Sequence, residues 1–151
     1  LILWRHAEAV EAPHGGDDMA RKLTNRGEKQ AARMAAWLDR QLPESTRIWT
    51  SPARRTEQTA MALGRKYKCH PGLAPDGTVD DLLALAQWPK PKGCVLVVGH
   101  QPLLGQTIAH LLGLNALDCA VKKGAVWWLR RRDPDGAAST VVVTVQTPEM
   151  V

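Results

Sequence analysis

Two short apolar runs, each followed within two residues by a histidine, set the framework of this chain. Leu1–Trp4 leads into Arg5 and His6, and Val95–Val98 leads through a glycine to His100. Four apolar residues bounded by polar and turn residues predict a strand that is buried on both faces, as in a parallel sheet. Ligands of open α/β sheets bind beyond the carboxyl ends of such strands. We therefore expect both imidazoles and the Arg5 guanidinium to meet at one crevice.

The stretches around these runs predict helices that alternate with strands. Apolar residues recur at helical spacing over 25–41, where Thr24 suits the N-cap and Pro43 the end. The predicted strands are 1–5, 47–50, 94–98, 125–130 and 140–146, and three more helices follow residues 52, 78 and 102, with a loop or weak strand at 70–76. The last two strands would form a hairpin around a turn at Asp133–Gly136. The predicted fold class is a three-layer α/β/α sandwich with a mostly parallel central sheet and an antiparallel edge.

Length and charge narrow the classes of protein to consider. The 151 residues suit a single domain, 1–151, and the hydrophobic (44%) and charged (23%) fractions are typical of globular proteins. A net charge of +5 suits an anionic substrate. The basic residues are scattered and lack the interleaved aromatic residues of single-strand binders. No nucleic-acid partner is therefore expected.

The cysteines and the apolar segments indicate the compartment. Cys69, Cys94 and Cys119 form no CxxC pair, which argues against a disulfide framework and against a structural zinc site. Neither a signal peptide nor a stretch of membrane-spanning length is visible, so a cytoplasmic protein with no membrane partner is predicted. The chain begins within a strand and without Met, so further residues are expected before Leu1. The oligomeric state is left open.

The residue types at the predicted crevice suit chemistry on a phosphoryl group. Arginine binds phosphate oxygens with a planar fork and keeps its charge at any ordinary pH. An unprotonated imidazole can attack phosphorus and hold the group covalently, and nearby guanidinium groups favour that neutral form. A second imidazole can donate a hydrogen bond to the transferring oxygens. Arg5, His6 and His100 supply this set, and Ser51–Ala60 adds arginine at a predicted helix N-terminus, which itself favours anions.

Four motifs occur in order along most of the chain. They are Arg5-His6-Ala7-Glu8-Ala9, Leu23-Thr24-x-x-Gly27-x-x-Gln30-Ala31, Ser51-Pro52-x-x-Arg55-x-x-Gln58-Thr59-Ala60 and Val98-Gly99-His100-Gln101-Pro102-Leu103. Together they resemble the RHG signature, the LTxxGxxQA helix start, the SPxxRxxQTA element and the second-histidine element of the histidine phosphatase superfamily. The resemblance implies a phosphoglycerate-mutase-like fold. Ala7 departs from the pattern, since glycine is usual there, and its fit depends on the sign of the backbone φ.

The resemblance also implies roles for particular residues. His6 corresponds to the nucleophile, and Arg5, Arg55 and His100 correspond to the phosphate pocket. Arg55 takes this role rather than Arg54 because it stands four residues after the serine and three before the glutamine of its motif. All four residues are therefore predicted to be catalytic.

A short interval between Arg55 and His100 narrows the resemblance further. Mutases and the larger phosphatases insert there a lid that supplies an acidic proton donor, and this chain has no room for one. The compact layout resembles the SixA-type phosphohistidine phosphatases, in which an arginine placed like the one in Asp18-x-x-Arg21 borders the pocket. The remaining candidates are Arg21 and Gln101 as substrate-binding residues, and Glu8 and Asp18 as proton donors.

The predicted function is a phosphohistidine phosphatase that works through a covalent phosphohistidine intermediate. Its partner would be a phosphorylated protein carrying phosphohistidine, or a small phosphorylated substrate. The alternatives are a small-molecule phosphomonoesterase of the same fold and a non-catalytic module that binds phosphate or phosphohistidine. The second alternative is disfavoured because a pure binder needs no nucleophile. No cofactor or metal is expected, because the arginines supply positive charge and no carboxylate–histidine ligand cluster is visible.

Overall fold

Six strands form the central sheet. The computed structural model describes residues 1–132 and 139–151. The strands are β1 (Ile2–Arg5), β2 (Arg47–Thr50), β3 (Lys68–Cys69), β4 (Val95–Gly99), β5 (Val126–Arg131) and β6 (Thr140–Gln146), in the spatial order β3-β2-β4-β1-β5-β6. β1 to β4 are parallel to one another, and β5 pairs antiparallel with both β1 and the outermost strand β6. The predicted mixed sheet is thus confirmed, and the turn predicted at Asp133–Gly136 lies outside the described residues.

The register of the parallel strands decides where the functional side chains emerge. Arg5 at the end of β1 lies opposite Gly99 of β4, and β2 pairs with β4 to nearly the same level. His6, Ser51 and His100 directly follow these strands. They therefore lie together at the carboxyl ends of the parallel strands. The predicted crevice at the carboxyl ends of β1 and β4 is present, and β2 ends there as well.

Helices cover both faces of the sheet. They are α1 (Asn25–Gln41), α2 (Arg54–Met61), α3 (Val79–Leu85) and α4 (Leu103–Leu112). Side chains of β1 alternate between the faces: Ile2 and Trp4 pack in one apolar cluster with α1 and α2, and Leu3 packs in another with α3 and α4. One apolar cluster lies between the sheet and the helices on each of its faces, so the fold has the three α/β/α layers that were predicted. Among the helices of the described residues, none is long and apolar enough to cross a membrane.

The long helix α1 has the bounds that its apolar spacing predicts. The Thr24 hydroxyl accepts a hydrogen bond from the Gly27 amide at 2.9 Å and so caps the helix start. Met34 and Leu38, one turn apart, are fully buried against the sheet. Pro43 follows the C-cap residue and cannot continue the helix.

The region after α2 differs in detail from the prediction. Two exposed residues form β3 on the outer edge of β2, and a 3₁₀ turn at Pro71–Leu73 follows. Only a loop or weak strand at 70–76 was predicted, because two exposed residues give no alternating pattern. The pairing continues as the His70 amide donates to the Thr50 carbonyl. Leu73 then enters the core and ties this segment to the sheet.

Candidate active site

His6 lies directly after β1 and is 6% exposed. Its Nδ1 lies 2.7 Å from the Ala7 carbonyl oxygen. A carbonyl can only accept, so Nδ1 carries the proton and donates it, and Nε2 of the neutral ring keeps a free lone pair. The hydrogen bond from Nδ1 to the Ala7 carbonyl thus leaves Nε2 as the ring nitrogen that can act as a nucleophile.

The surroundings of His6 keep its ring neutral. Burial is the main cause of a pKa lowered to about 4, and the hydrogen bond to Ala7 acts in the opposite direction. The positive charges of Arg55, Arg5 and Arg21 lower the pKa further. At neutral pH the ring is therefore unprotonated at Nε2, as a nucleophile requires.

A titration followed by NMR measures this protonation directly. With ¹⁵N-histidine label and no phosphate present, the His6 ring should stay neutral as the pH falls from 7 through the normal histidine range and reach the midpoint of its titration only at about pH 4. An unperturbed histidine takes up its proton at about pH 6.5. Protonation of His6 between pH 6 and 7 would contradict the structural account, because the ring would then be charged over much of the physiological range.

His100 is the second imidazole at this edge and is 2% exposed. Its ring centre lies 5.4 Å from that of His6, and the two planes are tilted by 59°. Nε2 is 2.7 Å from the Ser51 hydroxyl oxygen, and Nδ1 is buried without a partner. Burial lowers the pKa to about 3, with Arg55 and His6 adding to the effect and Asp18 opposing it.

Two guanidinium groups stand beside the imidazoles. Arg5 Nη1 donates to the Val121 carbonyl at 2.7 Å. Arg55 is 4% exposed, and its Nη1 and Nη2 donate to the carbonyl and carboxylate oxygens of Asp18 at 2.8 and 3.1 Å. The Nε groups of both arginines are buried and have no partner. Arg54, by contrast, is exposed.

These cations form an anion site. Within the described residues, three donors or potential donors of the site have no protein partner, namely Arg5 Nε, Arg55 Nε and His100 Nδ1. Buried polar groups are normally satisfied, so three unpartnered ones at one crevice indicate that a ligand completes them. In the part of the chain that the structure describes, no group of three or more His, Cys, Asp or Glu side chains is arranged to hold a metal ion.

Asp18 connects two of the predicted site residues. It begins a 3₁₀ turn, Asp18–Ala20, and its carboxylate accepts from Arg55 and from Arg21 Nη1 at 3.1 Å each. Arg21 Nε donates to the Val10 carbonyl at 2.7 Å. Partial burial of Asp18 would raise its pKa, but the hydrogen bonds from Arg21 and Arg55 outweigh it and lower the pKa. A proton donor must be protonated, and this environment disfavours that form.

Glu8 and Gln101 have partners away from the imidazoles. The Glu8 carboxylate accepts from the Thr24 hydroxyl at 2.8 Å. The Gln101 amide donates to the Cys119 carbonyl at 2.8 Å, and its oxygen accepts from the Gly105 amide at 2.7 Å. Gln101 thereby holds the segment after α4 against the start of that helix. The roles predicted for Glu8 as proton donor and Gln101 as substrate contact remain predictions.

Sequence reasoning gave no role to Thr59, which supports the site from α2. Its hydroxyl accepts from the Ala7 amide at 3.1 Å and donates to the Arg55 carbonyl at 2.7 Å. The neighbouring Gln58 accepts from the Leu23 amide at 2.7 Å. The hydrogen bonds from Ala7 to Thr59 and from Leu23 to Gln58 link α2 to chain segments near His6. In the sequence, Gln58 and Thr59 are two adjacent polar residues of a helical motif. Their supporting role could not be predicted, because their hydrogen-bond partners are distant in the chain.

Alanine fits at position 7, where the resembling family usually has glycine. Within residues 1–132 and 139–151, Gln87 is the only non-glycine residue with a positive φ. The backbone at Ala7 therefore does not need the freedom of glycine. The Ala7 side chain is fully buried and packs with Leu23 and Ala31.

Comparison with known sequences identifies relatives of the chain. The sequence profile of the histidine phosphatase superfamily (branch 1) matches residues 1–76. Phosphohistidine phosphatase SixA of Escherichia coli (strain K12) is 34% identical over 119 residues, which cover 74% of this chain and 73% of that protein. The phosphohistidine phosphatase SixA homolog of Haemophilus influenzae is 30% identical over 128 residues, which cover 75% of this chain and 77% of that protein.

Comparison with solved structures extends the likeness to nearly the whole chain. A structure of the protein histidine phosphatase SixA complexed with tungstate has a TM-score of 0.76 and 26% identity, and the match covers 97% of this chain and 96% of that one. The predicted phosphoglycerate-mutase-like fold is thereby confirmed. These relatives are phosphatases, which confirms the predicted class of enzyme. The chain belongs to the histidine phosphatase superfamily (branch 1).

Proposed function

We propose that this chain is a phosphohistidine phosphatase and that His6 carries the phosphoryl group between substrate and water. One observation carries the proposal: the free Nε2 lone pair of His6 stands beside three buried, unpartnered nitrogen atoms of Arg5, Arg55 and His100. A tetrahedral phosphoryl group supplies the oxygens that such nitrogens need. Two relatives bear the name phosphohistidine phosphatase, and a third was solved with tungstate, which is also a tetrahedral oxyanion.

The first step is displacement at phosphorus. His6 Nε2 forms a bond to phosphorus while the bond from phosphorus to the substrate nitrogen breaks. The second ring nitrogen of the substrate imidazole takes up a proton from the medium before the bond to phosphorus breaks, so the leaving imidazole departs neutral. Arg5 and Arg55 offset the charge on the phosphoryl oxygens, and their positions are set before the substrate arrives.

The second step restores the protein. A water molecule attacks phosphorus, the bond to His6 Nε2 breaks, and inorganic phosphate leaves after the water has lost its proton to the medium or to the product. His6 Nδ1 remains bonded to the Ala7 carbonyl throughout, so the ring keeps its orientation. Because His6 leaves as a neutral base with a low pKa, it is a good leaving group in this step.

The short segment between Arg55 and His100 favours the proposal that the substrate is a phosphorylated protein. After α2 this segment forms β3, a 3₁₀ turn and α3, and Leu73 and Leu82 of the last two are fully buried in the core. It is thus used to build the sheet and the layer that contains α4, and the structure describes no further helix or strand in it that could form a lid. A phosphohistidine side chain on another protein could reach such a site. We place this single-domain phosphatase, residues 1–151, in the cytoplasm, in accord with its three free cysteines.

Leaving-group quality should govern the rate if no strong acid serves the site. We expect kcat/KM to be much higher for a phosphohistidine peptide, other phosphoramidates and aryl phosphates than for alkyl phosphates such as sugar phosphates. The reason is that Asp18 is held ionised by two arginines and Glu8 is bonded to Thr24. The measurement is kcat/KM across a series of leaving groups, with the phosphohistidine peptide included.

The matched variant for this series is Glu8→Gln, which keeps the shape of the side chain and removes its acidic proton. It should barely change turnover of the phosphohistidine peptide. A flat dependence on leaving group in the unmodified protein, with alkyl esters cleaved as fast as phosphoramidates, would contradict the proposal. That result would favour a small-molecule phosphomonoesterase with an efficient general acid.

A further inference from the structure

Ser51 is a fully buried residue at the end of β2, between the strand and α2. Its amide donates to the Val98 carbonyl, and its carbonyl accepts from the Thr56 hydroxyl at 2.9 Å. Its side-chain oxygen accepts from the Ala53 amide at 3.3 Å. Within the described residues, the remaining partner of that oxygen is His100 Nε2, at 2.7 Å. We infer that the hydroxyl hydrogen points at the imidazole, because a buried hydroxyl hydrogen needs an acceptor and Nε2 is the acceptor within reach.

This contact determines which nitrogen of His100 carries the proton. With its pKa lowered to about 3, the ring is neutral at ordinary pH and has one proton for two nitrogens. Because Nε2 accepts from Ser51, the proton resides on Nδ1. Nδ1 is buried and has no protein partner among residues 1–132 and 139–151, so its N–H group is available to a ligand.

His6 and His100 then share one tautomer but present opposite chemistry. In His6 the Nδ1–H group is engaged by the Ala7 carbonyl, which leaves a lone pair at Nε2. In His100 the Nε2 lone pair is engaged by Ser51, which leaves an N–H group at Nδ1. One ring can attack phosphorus, and the other can donate to a phosphoryl oxygen. The two hydrogen-bond partners thus separate the roles of two otherwise similar imidazoles.

We propose that Ser51 is a positioning residue that fixes His100 in the Nδ1–H tautomer and thereby makes it a neutral hydrogen-bond donor to the transferring phosphoryl group. This inference rests on the proposed function and deepens it by assigning the device that selects the donor. A neutral donor suits the site, because Arg5 and Arg55 already supply positive charge. It also keeps the second ring from competing with His6 as a nucleophile, since its lone pair is occupied.

The tautomer is measured on the free protein without any substrate. Long-range ¹H–¹⁵N NMR of ¹⁵N-histidine-labelled protein should show His100 with a protonated Nδ1 and an unprotonated Nε2, with its signals assigned from a His100→Gln variant. Ser51→Ala should move proton population from Nδ1 to Nε2. A wild-type spectrum with the proton on Nε2, or an unchanged tautomer in Ser51→Ala, would overturn the proposal.

Kinetics then show whether the tautomer matters. Ser51→Ala should lower kcat/KM for an aryl phosphate by about tenfold or more, since a donor aimed at developing charge is worth about 10²-fold or more and is here only partly lost. It should weaken competitive inhibition by vanadate by a similar factor. Retained activity and vanadate affinity in Ser51→Ala would overturn the proposed role.

A second buried hydroxyl provides the control. Thr107 in α4 is fully buried, and its hydroxyl donates to the Leu103 carbonyl of the same helix at 2.9 Å. Thr107→Ala should leave the His100 tautomer and kcat/KM unchanged. Failure of the proposed function is distinguishable, because a protein that hydrolyses aryl phosphates but not phosphohistidine would still show the tautomer and its dependence on Ser51. If no substrate is turned over, the NMR spectra and vanadate binding still test whether Ser51 fixes the tautomer of His100.

Discussion

Replacing His6 with alanine is expected to abolish turnover and to prevent any covalent labelling of the protein. The reason is that His6 Nε2 is the proposed nucleophile, whereas the lone pair of His100 is engaged by Ser51 in the proposed tautomer. Incubation with ³²P-labelled substrate should tag the wild-type protein with a phosphoryl group that is lost in acid and survives in alkali, as expected of phosphohistidine. The same incubation should leave His6→Ala unlabelled.

The fold should survive this substitution. His6 follows the end of β1, and its side chain is buried at the crevice beside the polar residues of the site. Its partner is a backbone carbonyl that can be approached by water once the ring is gone. Circular dichroism and a thermal melt of His6→Ala should therefore resemble those of the wild type.

An exposed histidine supplies the matched control. His110 lies at the solvent side of α4, so His110→Ala removes an imidazole without touching the site. This variant should retain both turnover and labelling. Label that resists acid, or label that persists in His6→Ala, would remove His6 from its proposed role as the covalent carrier.

The sequence could predict that His6 and His100 lie at the same end of the sheet. The end of a strand is recognisable from a few neighbouring residues. Short apolar runs before His6 and His100 predicted two buried strands, and parallel strands end at a common edge. The register then brings the two rings within 5.4 Å of each other. Arg55 was singled out by its register in the motif that resembles a family element, and the structure shows that it is buried, whereas Arg54 is exposed.

The partners of these side chains could not be predicted, because they join residues that are far apart in the chain. Asp18 contacts Arg55 across 37 positions, and His100 contacts Ser51 across 49. No periodicity or spacing encodes such bonds, since they depend on how loops return to the sheet. For the same reason the sequence did not predict that the Gln101 amide makes hydrogen bonds to the backbone of Cys119 and Gly105, and its role as a substrate contact stays a prediction.

Loss of the Arg55 guanidinium should cost far more activity than loss of its neighbour. Arg55→Ala is expected to lower kcat/KM on the order of 10²-fold or more, the scale of removing one preorganised contact to developing charge. The reason is that Arg55 is 4% exposed and lowers the pKa of both imidazoles, whereas Arg54 is exposed. Arg54→Ala, which removes the same groups one residue away, should keep nearly full kcat/KM.

The variant should fold, so that the kinetic loss can be interpreted. Removing Arg55 takes one cation from Asp18, but that carboxylate is 54% exposed and keeps its bond to Arg21, so no buried charge is left unpaired. Arg55→Lys should recover only part of the activity, because lysine keeps the charge and lacks the planar fork and the unpartnered Nε group. Equal losses in Arg54→Ala and Arg55→Ala, at equal melting temperatures, would mean that the two arginines share the phosphate. The assignment of the pocket to the buried residue alone would then be wrong.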